Sequence, residues 1–71
     1  MQQELLDNWF TYHPPTGDEQ LAAYAKIRSA ARDFAMAINE NAPDSADKTA
    51  AIRKVRDAMM TANASIACGG K

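Results

Sequence analysis

Apolar side chains recur every three or four residues along two stretches of the chain, which is the spacing of one face of an α-helix. In the first stretch they are Tyr24, Ile27, Ala31, Phe34 and Ile38, and in the second Ile52, Val55, Met59, Ala62 and Ile66. Neither stretch alternates with the period of two that marks a β-strand. The pattern therefore predicts two long helices and an all-α fold.

Residues that start and stop helices set the boundaries of the first stretch. Thr16, followed three residues later by Glu19, has the form of a capping box. Pro43 cannot continue a helix and disfavours helical backbone at the residue before it. These signals predict a helix over residues 17–42.

The second stretch has its own start and stop signals. Asp44 or Ser45 is suited to cap its beginning, and the pair of glycines after Cys68 is suited to end it. A helix over residues 45–67 follows. Because so few residues separate the two helices, they are expected to lie antiparallel as a hairpin.

A shorter pattern precedes the hairpin. Leu5, Leu6, Trp9 and Phe10 have amphipathic spacing, which predicts a short N-terminal helix over residues 1–9. The chain is then a single helical-hairpin domain, because 71 residues make one domain at most.

The segment FTYHPPT, residues 10–16, lies between the short helix and the hairpin. It contains two of the five aromatic residues, the only histidine and two consecutive prolines. Proline reduces the freedom of a loop before it binds anything, which favours folding and binding alike. The loop is therefore either a staple on a helix end or a binding edge.

Composition predicts self-association. The chain is 46% hydrophobic, but much of that content is alanine, so large apolar side chains are scarce. A lone monomer with so thin a core is expected to be marginally stable. The single cysteine excludes an intramolecular disulfide, and no spacing of Cys and His suggests a metal site. Oligomerisation is the remaining means of stabilisation, and no cofactor is expected.

Charge and hydropathy exclude several classes of function. A net charge of −1 argues against a protein that coats long nucleic acid. The chain has no apolar run of the roughly 18 residues that a membrane span needs, and its first residues do not resemble a signal peptide. These features predict a cytoplasmic protein with no membrane partner.

The hairpin geometry suggests where a ligand would bind. If the chain turns near Pro43, the loop lies at the open end of the hairpin, opposite the turn. This end is predicted to gather stacking faces, cations and an amide, namely Tyr12, His13, Lys26, Arg28, Met60 and Asn63. Such a set suits a small, planar, anionic ligand. Each member also has a plainer interpretation, as a surface staple or a solvated side chain.

Catalysis is not predicted. General acid–base chemistry needs titrating groups that converge in a dry pocket, and the carboxylates here are scattered along the helices. The chain has no glycine-rich phosphate loop and no metal-ligand cluster.

Three segments together resemble a known family. FTYHPPTGDEQ, YAKIRSAARDFAMAI and MMTANASIA, spread over residues 10–67, are similar to the small phage-encoded helical hairpins called anti-CBASS sponges. The resemblance implies an all-helical homo-oligomer, a hexamer, that binds cyclic dinucleotides such as 3′,3′-cGAMP without cleaving them. Defence effectors of the infected host are thereby deprived of their activating signal.

The resemblance also implies site residues. In the family a tyrosine of the YHPP motif stacks on a base, and a lysine of the following helix contacts phosphate, in pockets between neighbouring protomers. Those roles correspond here to Tyr12 and Lys26, and we assign His13, Pro14 and Arg28 to the same site.

Some relatives also bind cyclic trinucleotides at a second site. For that site Asn63 and Lys71 are the candidates, although Cys68 occupies the position where the family pattern has a cation.

A different function is compatible with the same residues. The alternative is a structural role, in which an alanine-rich hairpin oligomer docks its proline-stiffened loop on a partner protein. Recovery of a nucleotide from the purified protein would distinguish nucleotide binding from docking on a partner protein.

Overall fold

The protein consists of three α-helices, as seen in a computed structural model that describes residues 1–71. They are α1 (Gln3–Phe10), α2 (Asp18–Asn41) and α3 (Ala46–Ala67), and there is no strand. Helices α2 and α3 pack against each other as the predicted hairpin, whereas the backbone of α1 does not come close to that of either helix. The prediction of an all-α fold is confirmed.

The start of α2 differs from the predicted capping box. Gly17 takes the N-cap position and no side chain caps the helix. Gln20 reaches back instead, and its side-chain oxygen accepts the backbone N–H of Thr16 at 2.9 Å. The Thr16–Glu19 box is wrong because the helix begins one residue later, which puts Gln20 rather than Glu19 at the third helical position.

The turn between α2 and α3 forms as the prolyl and capping signals predict. Ala42, which precedes Pro43, leaves the helix with an extended ψ of 140° after its N–H bonds to the Ile38 carbonyl at 2.9 Å. Ser45 caps α3 by accepting the Lys48 backbone N–H on its hydroxyl oxygen at 3.1 Å.

The only ion pair of the chain lies beside this cap. The Lys48 ammonium is 2.9 Å from a carboxylate oxygen of Asp44. This hydrogen bond, together with the positive charge, lowers the pKa of the Asp44 carboxyl below its usual value. Because the carboxylate is fully exposed, solvent screens the pair and its effect on stability is small.

Replacing Ser45 by alanine should destabilise α3. The Ser45→Ala change removes the cap acceptor and leaves the Lys48 N–H unpaired by protein, at a cost of about 1 kcal/mol. Thermal unfolding followed by circular dichroism, at one fixed protein concentration, measures the loss. Ser29→Ala is the matched control, since Ser29 lies exposed inside α2, where alanine is the better helix former. Equal melting temperatures for the two variants would contradict the capping role.

The end of α3 shows why the chain has two glycines there. Gly69 and Gly70 have φ angles of 67° and 77°, in the left-handed region that favours glycine. Their N–H groups bond back to the carbonyls of Ile66 and Ser65 at 3.1 and 2.9 Å, which is a Schellman motif. The chain thereby turns back toward α1.

No residue of the single chain is fully buried. The accessible surface is 5696 Å², whereas a compact monomer of 7.7 kDa exposes about 4,300 Å². The radius of gyration is 15.1 Å, against about 11 Å for a compact chain of this length. A single chain thus leaves exposed much of the surface that folded proteins bury.

A groove lined by apolar side chains runs between α2 and α3, and we call it the apolar groove. It has a volume of about 530 Å³, and nine of its ten lining residues are hydrophobic. Phe34 lines it and is 60% exposed. None of the three helices is long and apolar enough to cross a membrane.

Candidate functional site

The loop between α1 and α2 presents a tyrosine to solvent. Thr11, at the end of α1, is already extended, and the chain does not become helical again until Asp18. Tyr12 is 82% exposed, and Pro14 and Pro15 beside it are exposed as well. Two consecutive prolines fix φ at two of the seven residues of this loop, so the ring is held out from the helices on a stiff support.

His13 attaches this loop to α1. Its side chain is half-buried, and its Nε2 lies 2.6 Å from the backbone oxygen of Asn8. Because a carbonyl oxygen can only accept, Nε2 carries the proton and donates. The contact orients the loop directly beside Tyr12, so the structure gives His13 a positioning contact, and its predicted contact with ligand stays a prediction.

Helix α1 is attached in turn to the end of α3. The Asn8 side-chain amide donates to the Cys68 carbonyl at 3.1 Å, and the Trp9 indole N–H donates to the Lys71 carbonyl at 3.2 Å. The Cys68 thiol lies 3.9 Å from the Asn8 carbonyl and returns a weak hydrogen bond. The loop is therefore positioned through a chain of contacts that runs from the end of α3 to Asn8 and then to His13.

Sequence reasoning did not find this set of contacts. Asn8 and Trp9 belong to a segment that was interpreted only as an amphipathic helix. Their partners are backbone carbonyls some 60 residues away, and a carbonyl leaves no mark in the amino-acid sequence. The indole N–H was the available signal, because a tryptophan at a surface usually pairs its N–H.

The predicted cations lie on the exposed surface of α2. Lys26 and Arg28 have no carboxylate within ion-pair distance, since the Lys48–Asp44 pair is the only one in the chain. Unpaired cations of this kind are available to an anionic ligand, whose phosphates would form charge-assisted hydrogen bonds with them.

One copy of the chain does not assemble these residues into a pocket. No groove of the surface is lined by Tyr12, Lys26 or Met60. Arg28 lines a shallow groove further along the hairpin. Whether the open end of the hairpin gathers all these side chains stays a prediction. The stiff loop holds Tyr12 outward, and Lys26 lies on an exposed part of α2.

The two residues predicted for a second site lie in different surroundings. The Asn63 side-chain oxygen is shielded from solvent and has no hydrogen-bond partner. Lys71 lines the grooves next to α1. Whether they bind a cyclic trinucleotide stays a prediction.

No three His, Cys, Asp or Glu side chains are grouped closely enough to hold a metal ion. What the surface offers is an aromatic ring on a stiff loop, unpaired cations on the next helix and a large exposed apolar face. These features define a class: a small helical-hairpin protein with an exposed aromatic loop.

Comparison with known families identifies the class further. Residues 2–67 match the hairpin domain of Acb2/Tad1. The chain belongs to this family, which is the anti-CBASS sponge family. The resemblance read from the sequence is thereby confirmed, and membership suggests a role in binding cyclic nucleotides against CBASS. No curated protein and no solved structure matches the chain.

Proposed function

We propose that this protein binds cyclic dinucleotide second messengers, such as 3′,3′-cGAMP, and sequesters them without cleaving them. CBASS effectors in the cytoplasm of the infected host then remain inactive. The observation that carries the proposal is the exposed ring of Tyr12 on its proline-stiffened loop, in a chain of the anti-CBASS sponge family. A flat ring in this setting is suited to stack on a nucleobase, and the cations of α2 are suited to the phosphates.

We further propose that the site forms between copies of the chain in a homo-oligomer, a hexamer. A single chain exposes roughly 1,400 Å² more than a compact monomer of its mass. A standard interface buries about 800 Å² on each partner, so this excess is enough for one or two contacts. A site shared between copies would also explain why Tyr12 and Lys26 line no common groove in one chain.

Sequestration requires tight binding and no turnover. Hydrolysis of a phosphodiester needs a general base, a metal ion or another group positioned at the phosphate. Around Tyr12 and Lys26 the chain offers a phenol, an ammonium group and a half-buried imidazole already bonded to a carbonyl. This set supports retention of an intact ligand.

Two measurements on purified protein test the proposal. Calorimetry with 3′,3′-cGAMP should give a dissociation constant well below about 10 μM, a limit that corresponds to a binding free energy of about 7 kcal/mol. Heat denaturation of the complex should then release unchanged nucleotide, detected by chromatography. Linear product in the released fraction would show an enzyme instead. Absence of binding, together with stoichiometric capture of a host protein, would favour the docking function.

A further inference from the structure

Three arginines line a shallow groove on the opposite side of the hairpin seam from Phe34. They are Arg28 and Arg32 of α2 and Arg56 of α3, over a floor of small and apolar side chains. We call this the basic groove. All three side chains are exposed, and no carboxylate lies within ion-pair distance of any of them. Three unpaired guanidinium groups this close repel one another and attract an anionic partner.

The charges of the chain are divided along its length. Residues 1–20, which we call the acidic segment, contain four carboxylates and no lysine or arginine. Residues 21–71 contain all eight lysines and arginines and five carboxylates, so they carry a net charge of +3. The four carboxylates of the acidic segment are those of Glu4, Asp7, Asp18 and Glu19, and none of them is in an ion pair.

One chain cannot bring its own acidic segment onto its basic groove. Asp18 is the first residue of α2, and at 1.5 Å per residue Arg28 lies about 15 Å further along the helix. Glu19 follows Asp18 on α2. The other two carboxylates belong to α1, which is bonded to the end of α3, about 18 Å along the helix from Arg56. The partner of the arginines must therefore come from another molecule.

We infer that in the assembled protein the acidic segment of one copy docks on the basic groove of the next. This inference rests on the homo-oligomer proposed above and specifies one of its contacts. Four unpaired carboxylates facing three unpaired guanidinium groups provide the charge complementarity that orients partners and suppresses wrong arrangements.

The contact has a consequence for the ligand site. The Tyr12 loop lies between the two pairs of carboxylates in the acidic segment, so docking moves Tyr12 toward the neighbour's Arg28 and Lys26. Such a contact joins two different surfaces and is heterologous, so it can close into a ring of copies. An isologous contact through the apolar groove would pair two such rings, and two three-membered rings make six copies.

Sedimentation of the full-length chain at two salt concentrations tests the inference. Raising the salt from about 0.05 M to about 0.5 M should weaken assembly about tenfold or more, because the screening length falls to a few ångströms. Arg32→Glu should weaken assembly about tenfold beyond Arg53→Glu. Arg53 is the matched control, since it is also exposed but does not line the groove. Equal effects of the two reversals would overturn the inference.

A second background identifies the partner surface. When the acidic segment is neutralised by Glu4→Gln, Asp7→Asn, Asp18→Asn and Glu19→Gln, the additional cost of Arg32→Glu should disappear. An unchanged cost would show that another surface meets the groove and would overturn the inference. If circular dichroism shows that this variant does not fold, only the α1 pair is neutralised, by Glu4→Gln with Asp7→Asn. The additional cost of Arg32→Glu to assembly should then be reduced. An unreduced cost in this background would also overturn the inference.

Calorimetry with 3′,3′-cGAMP on the same samples separates this contact from the proposed function. A chain that stays monomeric at every salt concentration would refute both the proposed contact and the proposed function. An oligomer that binds the dinucleotide, but whose assembly does not change with salt or with charge reversal, would refute the contact alone. Arg32→Glu that abolishes dinucleotide binding while leaving assembly intact assigns the groove to the ligand and also ends it. Charge-dependent assembly without dinucleotide binding supports the contact and refutes the dinucleotide.

Discussion

Tyr12→Ala is expected to weaken binding of 3′,3′-cGAMP by about 5- to 150-fold without changing the fold. The range follows from a stacking contribution of about 1–3 kcal/mol for each base on an aromatic ring. The ring is exposed and no groove of the chain is lined by it, so its removal leaves no cavity. Calorimetry measures the loss of binding, and circular dichroism verifies that helix content is retained.

Two variants control for this result. Tyr12→Phe retains the ring and should bind almost as well as the original protein. Phe10→Ala removes an aromatic side chain that is equally exposed, at 83% against 82%, only two residues away. If Phe10→Ala loses as much affinity as Tyr12→Ala, the loop contributes general apolar contact, and the specific stacking role of Tyr12 is wrong.

Phe34→Glu is expected to weaken assembly through the apolar groove and to lower thermal stability with it. Burial of a phenylalanine side chain contributes about 1.5–3 kcal/mol, and a carboxylate in the same interface adds a desolvation cost. We expect association to weaken by about 100-fold or more. Since no residue is fully buried in a single chain, the separated subunits should unfold at a lower temperature.

Sedimentation equilibrium and thermal unfolding at several protein concentrations measure both effects. Met36→Glu is the matched control, because Met36 is also exposed on α2 but does not line the apolar groove. Phe34→Leu retains an apolar side chain and should largely preserve assembly. Full assembly of Phe34→Glu, or equal losses in Phe34→Glu and Met36→Glu, would show that the apolar groove is not the contact.

Hydrogen bonds between distant parts of the chain position the loop that carries Tyr12, the residue that we propose stacks on the ligand. Its orientation depends on hydrogen bonds that run from the last residues of the chain through Asn8 to His13. The backbone of α1 does not come close to that of the hairpin, so side chains make the connection between them. The ends of the chain therefore support the site, although neither contains a residue assigned to the ligand apart from Lys71.

Local signals in the sequence were enough to predict the three helices, with bounds that lie within two residues of those observed. The apolar period of α2 and α3, the proline before the turn, the Ser45 cap and the two final glycines each act within one turn of helix. Such signals depend on neighbouring backbone groups only, which is why they can be read without a structure. Even so, the capping-box prediction for α2 was wrong, because the helix begins one residue later and Gln20 rather than Glu19 reaches back to the Thr16 N–H.

Only the tertiary structure reveals the features that join distant parts of the chain. The attachment of α1 to residues 68–71 uses backbone carbonyls, which every residue has, so composition cannot reveal it. The separation of the hairpin into an apolar side and a basic side depends on the rotation of α2 against α3 about their seam. A shift of one residue in that packing would move Phe34 and Arg32 to other faces, because successive residues of a helix point about 100° apart.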